Sequence, residues 1–140
     1  MDYTQKKTKV ILAQFPLETH SRGIITVAQM LRDANMEVVV IGNAFPDHMA
    51  DVAMLEDADI IGISTYCGGE LTLGSDLLQA LENRGIKDKT ICLLGGVFAA
   101  EDAQKLREKG FSGTFPPSTT GDEIIKCIES ALKKLPVAIS

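Results

Sequence analysis

A single α/β domain on a five-stranded parallel sheet, with helices on both faces, is the fold class this sequence predicts. Three observations carry the prediction. Short apolar runs of strand length alternate, five times along the chain, with stretches whose apolar residues recur at three- and four-residue spacing. The strand runs are continuously apolar rather than alternating, as expected of strands covered on both faces. The length of 140 residues suits one domain.

Residues 9–15 (KVILAQF) read as the first strand. Ile24, Val27, Ala28 and Leu31 follow at helical spacing, and that helix ends near Ala34 and Asn35. Residues 37–41 (EVVVI) are β-branched and short, which predicts a buried strand. Pro46 and Asp47 open a helix that carries Met49, Val52 and Ala53 inward. Residues 59–64 (DIIGIS) form the third strand, and Leu73, Leu77, Leu78 and Leu81 mark a helix stopped by Gly85. Residues 90–94 (TICLL) are the fourth strand, closed by Gly95 and Gly96. Ala99, Ala103 and Leu106 lie on a helix ended by Gly110, and residues 112–115 supply a short fifth strand. Thr120 and Glu123 make a capping box ahead of Ile124, Ile125, Ile128, Ala131 and Leu132. With right-handed crossovers this is a flavodoxin-like (Rossmann-like) sandwich over residues 9–135, between a polar N-terminal tail at 1–8 and a C-terminal tail at 136–140. The pattern leaves the strand order open.

Composition narrows the function. Hydrophobic content of 45% and charged content of 24% are those of an ordinary globular protein. Nineteen acidic against 14 basic residues give a net charge of −5, which argues against a nucleic-acid partner. Aromatics are 5% of the chain and tryptophan is absent, so no base-stacking platform is expected. No apolar run approaches the ~18 residues of a membrane span, and the polar start MDYTQKKTKV does not read as a signal peptide. The expected location is the cytoplasm, without a membrane partner. Cys67, Cys92 and Cys127 lack CxxC spacing and read as small buried hydrophobes, not as a disulfide framework or a zinc site.

Ligands of such sheets bind beyond the carboxyl ends of the strands, so the informative loops are residues 16–23 (PLETHSRG), 42–45, 65–70 (TYCGGE), 95–98 (GGVF) and 116–121 (PPSTTG). A phosphoacceptor receiver needs paired acids after strand one and an aspartate closing strand three, where this chain has Gln14-Phe15 and Ser64. Neither G-x-x-x-x-G-K-[ST] nor a G-x-G-x-x-G after the first strand is present. The nearest approach to a nucleophile elbow, Gly62 to Tyr66, lacks the second glycine. His48, early in the second helix, reads as a solvated surface residue, and Cys67 with Gly68 and Gly69 as a flexible turn. The first loop is the unusual one. A neutral imidazole is a good transition-metal ligand whose second nitrogen wants a carboxylate partner. Glu18 stands two residues from His20. One histidine makes no complete metal site, so a metal here must arrive inside a cofactor.

These residues resemble a known family. Glu18-x-His20-x-x-Gly23 is similar to the D-x-H-x-x-G motif of cobalamin-binding domains, with Glu in place of Asp. Ser64-x-Tyr66 stands where the family has S-x-L, Gly95-Gly96 where it has its GG pair, and residues 115–119 (FPPST) where many members carry a glycine-bearing F-G-P-G-T-like loop. The register holds from about Lys9 to Leu132, and the flavour is that of the C-terminal domain, or small subunit, of methylmalonyl-CoA mutase and related acyl-CoA mutases.

The resemblance implies cobalamin, adenosylcobalamin first, bound with its lower base displaced and His20 as the lower axial ligand to cobalt. It implies that Glu18 holds the other nitrogen of His20, that Thr19, Ser21, Arg22 and Gly23 lie along the corrin, and that Ser64 meets the displaced benzimidazole. Gly95 and Gly96 leave room for the tail, with Tyr66, Phe115 and Thr119 beside it. It further implies a larger, barrel-shaped, substrate-binding mutase subunit as partner, with self-association left open. No residue of this chain is then catalytic by itself: the carrier is active only with that larger subunit. Two alternatives stand beside this reading. One is a methyl-carrying corrinoid protein, although only eight polar residues precede the first strand where such proteins usually carry a helical domain. The other is a scaffold that has kept the fold and lost the cofactor, which the departures at Glu18, Tyr66, Pro116 and Ser118 favour by narrowing the tail pocket.

Overall fold

The computed structural model describes residues 6–66 and 68–135; residues 1–5, Cys67 and residues 136–140 lie outside it. The expected turn at Cys67, the C-terminal tail and most of the N-terminal tail therefore fall outside the described residues. The chain runs β1 (Lys9–Gln14), α1 (Arg22–Asp33), β2 (Glu37–Asn43), α2 (Pro46–Glu56), β3 (Ile60–Thr65), α3 (Glu70–Asn83), a 3-10 turn (Lys87–Lys89), β4 (Ile91–Gly96), α4 (Ala100–Lys109), β5 (Gly113–Phe115) and α5 (Gly121–Lys134). All neighbouring strands are parallel, in the order β2-β1-β3-β4-β5. That is the flavodoxin-like order, and its connections diverge between β1 and β3.

Strand periodicity divides the core in two. Ile11, Ala13, Ile61, Ile63, Cys92 and Leu94 point to one face, where Met49 and Ala53 of α2, Leu77 and Leu81 of α3 and Leu106 of α4 cover them. Val10, Leu12, Ile60, Ile91 and Leu93 point to the other, under Ile24, Ala28 and Leu31 of α1 and Ile128 of α5. The capping box of α5 forms as the sequence predicts: the Glu123 N–H donates to Thr120 Oγ1 at 3.2 Å and the Thr120 N–H to Glu123 Oε2 at 3.4 Å.

Four sequence expectations are corrected. The second strand is an edge strand, not a buried one: only Val38 is buried and Val40 is exposed, because its outer side has no neighbour among the described strands. Arg32 Nη2 shields that edge by donating to the Val38 carbonyl at 3.2 Å. Gly95 and Gly96 do not belong to the loop expected at residues 95–98; they are the last two residues of β4, paired with β3. Ala99 is the exposed N-cap of α4, outside the helix interior. Cys127 is half-buried, whereas Cys92 is fully buried as expected. His48 is exposed, and no helix among the described residues is long and apolar enough to cross a membrane.

Two predictions follow from packing. Gly96 has φ +124°, and a Cβ there would stand 2.0 Å from the Thr65 carbonyl oxygen, which is already fixed by the Val97 N–H at 3.0 Å. Gly96→Ala should lower the unfolding free energy by about 2 kcal/mol or more in urea melts, whereas Gly95→Ala, whose Cβ meets nothing nearer than 3.9 Å, should change it by less than about 0.5 kcal/mol. Burial pushes the Cys92 thiol up to about 12, so it stays in the unreactive thiol form at pH 8. Peptide mapping after iodoacetamide should find Cys92 unmodified in the native protein and alkylated in denaturant.

Candidate functional site

The site begins where β1 ends. Pro16 and Leu17 make a tight turn closed by the Glu18 N–H on the Phe15 carbonyl at 3.1 Å. It places Leu17 in the left-handed region at φ 72°, a strained conformation for a leucine. Two amides that the motif reading did not single out fix this loop. Asn43, at the end of β2, donates from Nδ2 to the carbonyls of Phe15 at 3.0 Å and Glu18 at 2.7 Å. Gln14 donates from Nε2 to the His20 carbonyl at 2.6 Å. Both are polar residues closing apolar strands at the carboxyl edge of the sheet, and that position was the available signal.

The turn buries the Glu18 side chain to 1% exposure. A buried carboxylate is costly unless donors surround it. Here Oε1 accepts from the backbone N–H groups of Thr19 and His20, each at 3.0 Å, and lies 2.8 Å from His20 Nδ1. Oε2 accepts from the Tyr66 N–H of the β3–α3 loop. An ionised carboxylate only accepts, so Nδ1 carries the proton and the lone pair of a neutral imidazole resides on Nε2. That nitrogen has no protein hydrogen bond among the described residues. The imidazole is 63% exposed and packs against the Tyr66 ring, with centroids 5.1 Å apart and planes inclined by 31°.

His20 stands at the lip of a groove of about 750 Å³ that runs between α1 and α5 over β1, β3 and β4. Ser21, Arg22 and Gly23 line it from the start of α1, Ser64 and Tyr66 from the end of β3, Gly95 and Gly96 from the end of β4, and Phe115 and Thr119 from the last loop. Glu18 lies beneath His20, and Thr19 does not line the groove. The motif reading missed its apolar walls, which include Val10, Leu12, Val27, Leu31, Leu93 and Ile124. These residues read as ordinary core, and only the space between α1 and α5 turns them into a lining.

The groove exists because the strand residues facing it shrink toward the carboxyl edge. On β3 they run Ile60, Gly62, Ser64, and on β4 Ile91, Leu93, Gly95, with Ser64 paired to Gly95 in register. Pro116 and Pro117 line the far end, in a turn that Thr119 closes from its N–H at 3.0 Å and its Oγ1 at 2.8 Å on the Pro116 carbonyl. This rigid turn leaves the groove open. The extra methylene of Glu18 leaves the contact with His20 intact at 2.8 Å. Among the described residues no group of three or more His, Cys, Asp or Glu side chains could hold a bare metal ion.

Comparison with known proteins gives this arrangement its place. The model of the B12 binding domain family matches residues 8–125. The 2-hydroxyisobutanoyl-CoA mutase small subunit of Aquincola tertiaricarbonis is 35% identical over 127 residues, covering 90% of this chain and 93% of that one. The pivalyl-CoA mutase small subunit of Xanthobacter autotrophicus is 30% identical over 128 residues, covering 90% and 84%. Methylmalonyl-CoA mutase of Rhizobium meliloti is 35% identical over 115 residues, 81% of this chain but only 16% of that much longer protein. Among solved structures, a cobalamin-binding protein from Desulfitobacterium hafniense superposes with a TM-score of 0.76 at 20% identity, over 89% of this chain and 59% of that one. A signal receiver domain of a response regulator from Mycobacterium tuberculosis superposes at 0.67 with 16% identity, over 93% and 99%. Identities this low establish the shared fold alone. The family match over most of the chain and the two relatives matched nearly end to end establish more: this chain belongs to the B12-binding domain family.

Proposed function

We propose that this chain is the cobalamin-carrying small subunit of an adenosylcobalamin-dependent acyl-CoA mutase, a cytoplasmic protein that works with a larger, barrel-shaped, substrate-binding subunit. The observation that carries the reading is the Glu18–His20 pair at the lip of the groove, with Nδ1 engaged and Nε2 left to a ligand. The residues present fit the cofactor. A single imidazole cannot complete a bare metal site but suits a metal already held in a macrocycle. The apolar groove with its glycine and serine floor suits a displaced aromatic base, and Ser64 offers it a hydroxyl. Gly95 has room for a Cβ in the protein itself, so a side chain there would occupy groove space. When bound, the cofactor supplies a cobalt–carbon bond whose homolysis initiates a radical rearrangement of the acyl-CoA.

The work of the chain is to bind and to orient. Glu18 keeps the proton on His20 Nδ1 and so presents Nε2. Gly23 and the start of α1, with Arg22 in its first turn and no acidic residue there, line the groove with positive potential that suits an anionic tail. Leu17, Phe45 and Val97 are exposed on the loops after β1, β2 and β4, at the same edge of the sheet as His20. This apolar rim supports docking of the cofactor face against the larger subunit.

The test is to mix the purified protein with hydroxocobalamin, remove free cofactor by gel filtration, and record the visible spectrum beside His20→Ala. The wild type should retain colour with a histidine-ligated spectrum, and the variant should lose at least about 10-fold in retention, on the scale seen when metal-site partners are removed. Colourless wild-type protein with hydroxocobalamin, methylcobalamin and adenosylcobalamin alike would sink the carrier reading. Gly95→Val should keep the melting behaviour of the wild type, yet bind cobalamin roughly 10-fold more weakly, as overpacking of a filled site costs about 1–3 kcal/mol.

A further inference from the structure

We infer that Tyr66 is a positioning residue for His20, fixing the plane of the imidazole before any ligand arrives; the inference rests on His20 being the ligand to cobalt. A hydrogen bond to Glu18 alone leaves the imidazole free to swivel about the Nδ1···Oε1 line, and the ring is largely exposed on its other sides. The Tyr66 ring removes that freedom. Its centroid lies 5.1 Å from that of His20 with the planes inclined by 31°, within the range of attractive aromatic pairs. Tyr66 is itself held in place, because its N–H donates to Glu18 Oε2, the second oxygen of the carboxylate that engages His20. Its phenol reaches across to α1: a Cβ on Gly23 would stand 3.6 Å from the hydroxyl oxygen. One carboxylate thus ties together two loops from adjacent strands, and the tyrosine closes the unit over the histidine. A leucine at this position, as in the S-x-L pattern that this chain departs from, offers no ring face. A ring already oriented has less freedom to lose when its nitrogen is ligated.

The experiment compares wild type, Tyr66→Phe and Tyr66→Leu, with circular dichroism confirming that each folds. Without cofactor, the ring-proton resonances of His20, assigned with His20→Ala and referenced to the exposed His48, should match between wild type and Tyr66→Phe and shift in Tyr66→Leu. With hydroxocobalamin, Tyr66→Phe should behave as the wild type. Tyr66→Leu should retain the cofactor about 2- to 10-fold less well, with a smaller histidine-ligated fraction in the visible spectrum. Unmoved His20 resonances in Tyr66→Leu, or a wild-type spectrum and affinity in that variant, would overturn the proposal. An equal loss in Tyr66→Phe would overturn it too, because the hydroxyl and not the ring would then be at work. If the wild type takes up no cobalamin, the cofactor reading fails, while the resonance measurement still decides whether Tyr66 holds His20.

Discussion

A carboxylate buried at the carboxyl edge of the sheet is the interaction on which the site depends. Isolated in the protein interior, the charge of Glu18 would be prohibitive. The surrounding chain is shaped to supply donors: two consecutive backbone N–H groups from its own loop, the Nδ1 proton of His20, and the N–H of Tyr66 from the loop after β3. Hydrogen bonds to a charged group are worth more than neutral ones, about 1.5–3 kcal/mol each. The set therefore holds together two loops that leave adjacent strands and pass to opposite faces of the sheet. The strained turn at Leu17 and the amide contacts of Gln14 and Asn43 follow from the same requirement, since they bring Glu18 down among its donors.

The second constraint is one of bulk. A parallel sheet covered on both faces has no reason to leave a groove unless something on it is small. Here Gly62, Ser64 and Gly95 take the groove-facing positions at the ends of β3 and β4 while the same strands carry Ile60, Ile91 and Leu93 further back. The α1 and α5 helices pack against the large residues and leave space above Ser64 and Gly95, while Leu12 leans over Gly62. The other face, under α2, α3 and α4, has no such gradient in Ile61, Ile63, Cys92 and Leu94, and it forms a continuous core.

The fold itself is shared by proteins of different chemistry, for a cobalamin-binding protein and a signal receiver domain both superpose on it. What separates them is the identity of a few side chains at the strand ends. Gln14 and Ser64 stand where a phosphoacceptor would place its acids, and a histidine braced by a buried glutamate stands at the groove lip instead. The departures from the family pattern are absorbed without loss of this arrangement. The longer Glu18 still reaches Nδ1, Tyr66 adds a ring contact to His20, and the Pro116–Pro117 turn stiffens the far wall of a groove that stays open.

The sequence by itself determined the element order, the covering of the sheet on both faces and the motif residues of the loops, because these depend on local periodicity and local chemistry. Continuous apolar runs separated by helical repeats admit little besides a parallel sandwich, and Thr120 with Glu123 caps its helix wherever the helix packs. Strand order, the edge position of β2 and the membership of Gly95 and Gly96 in β4 were decided by tertiary structure, since EVVVI and GG read alike at an edge, in a centre or in a turn. The apolar walls of the groove were likewise invisible, because Val10, Leu12 and Ile124 are indistinguishable from core until two helices are seen to part above them. The bond from Glu18 to the backbone of Tyr66 spans 48 positions of sequence, and a backbone donor leaves no mark on composition or spacing. It is known only once the two loops meet.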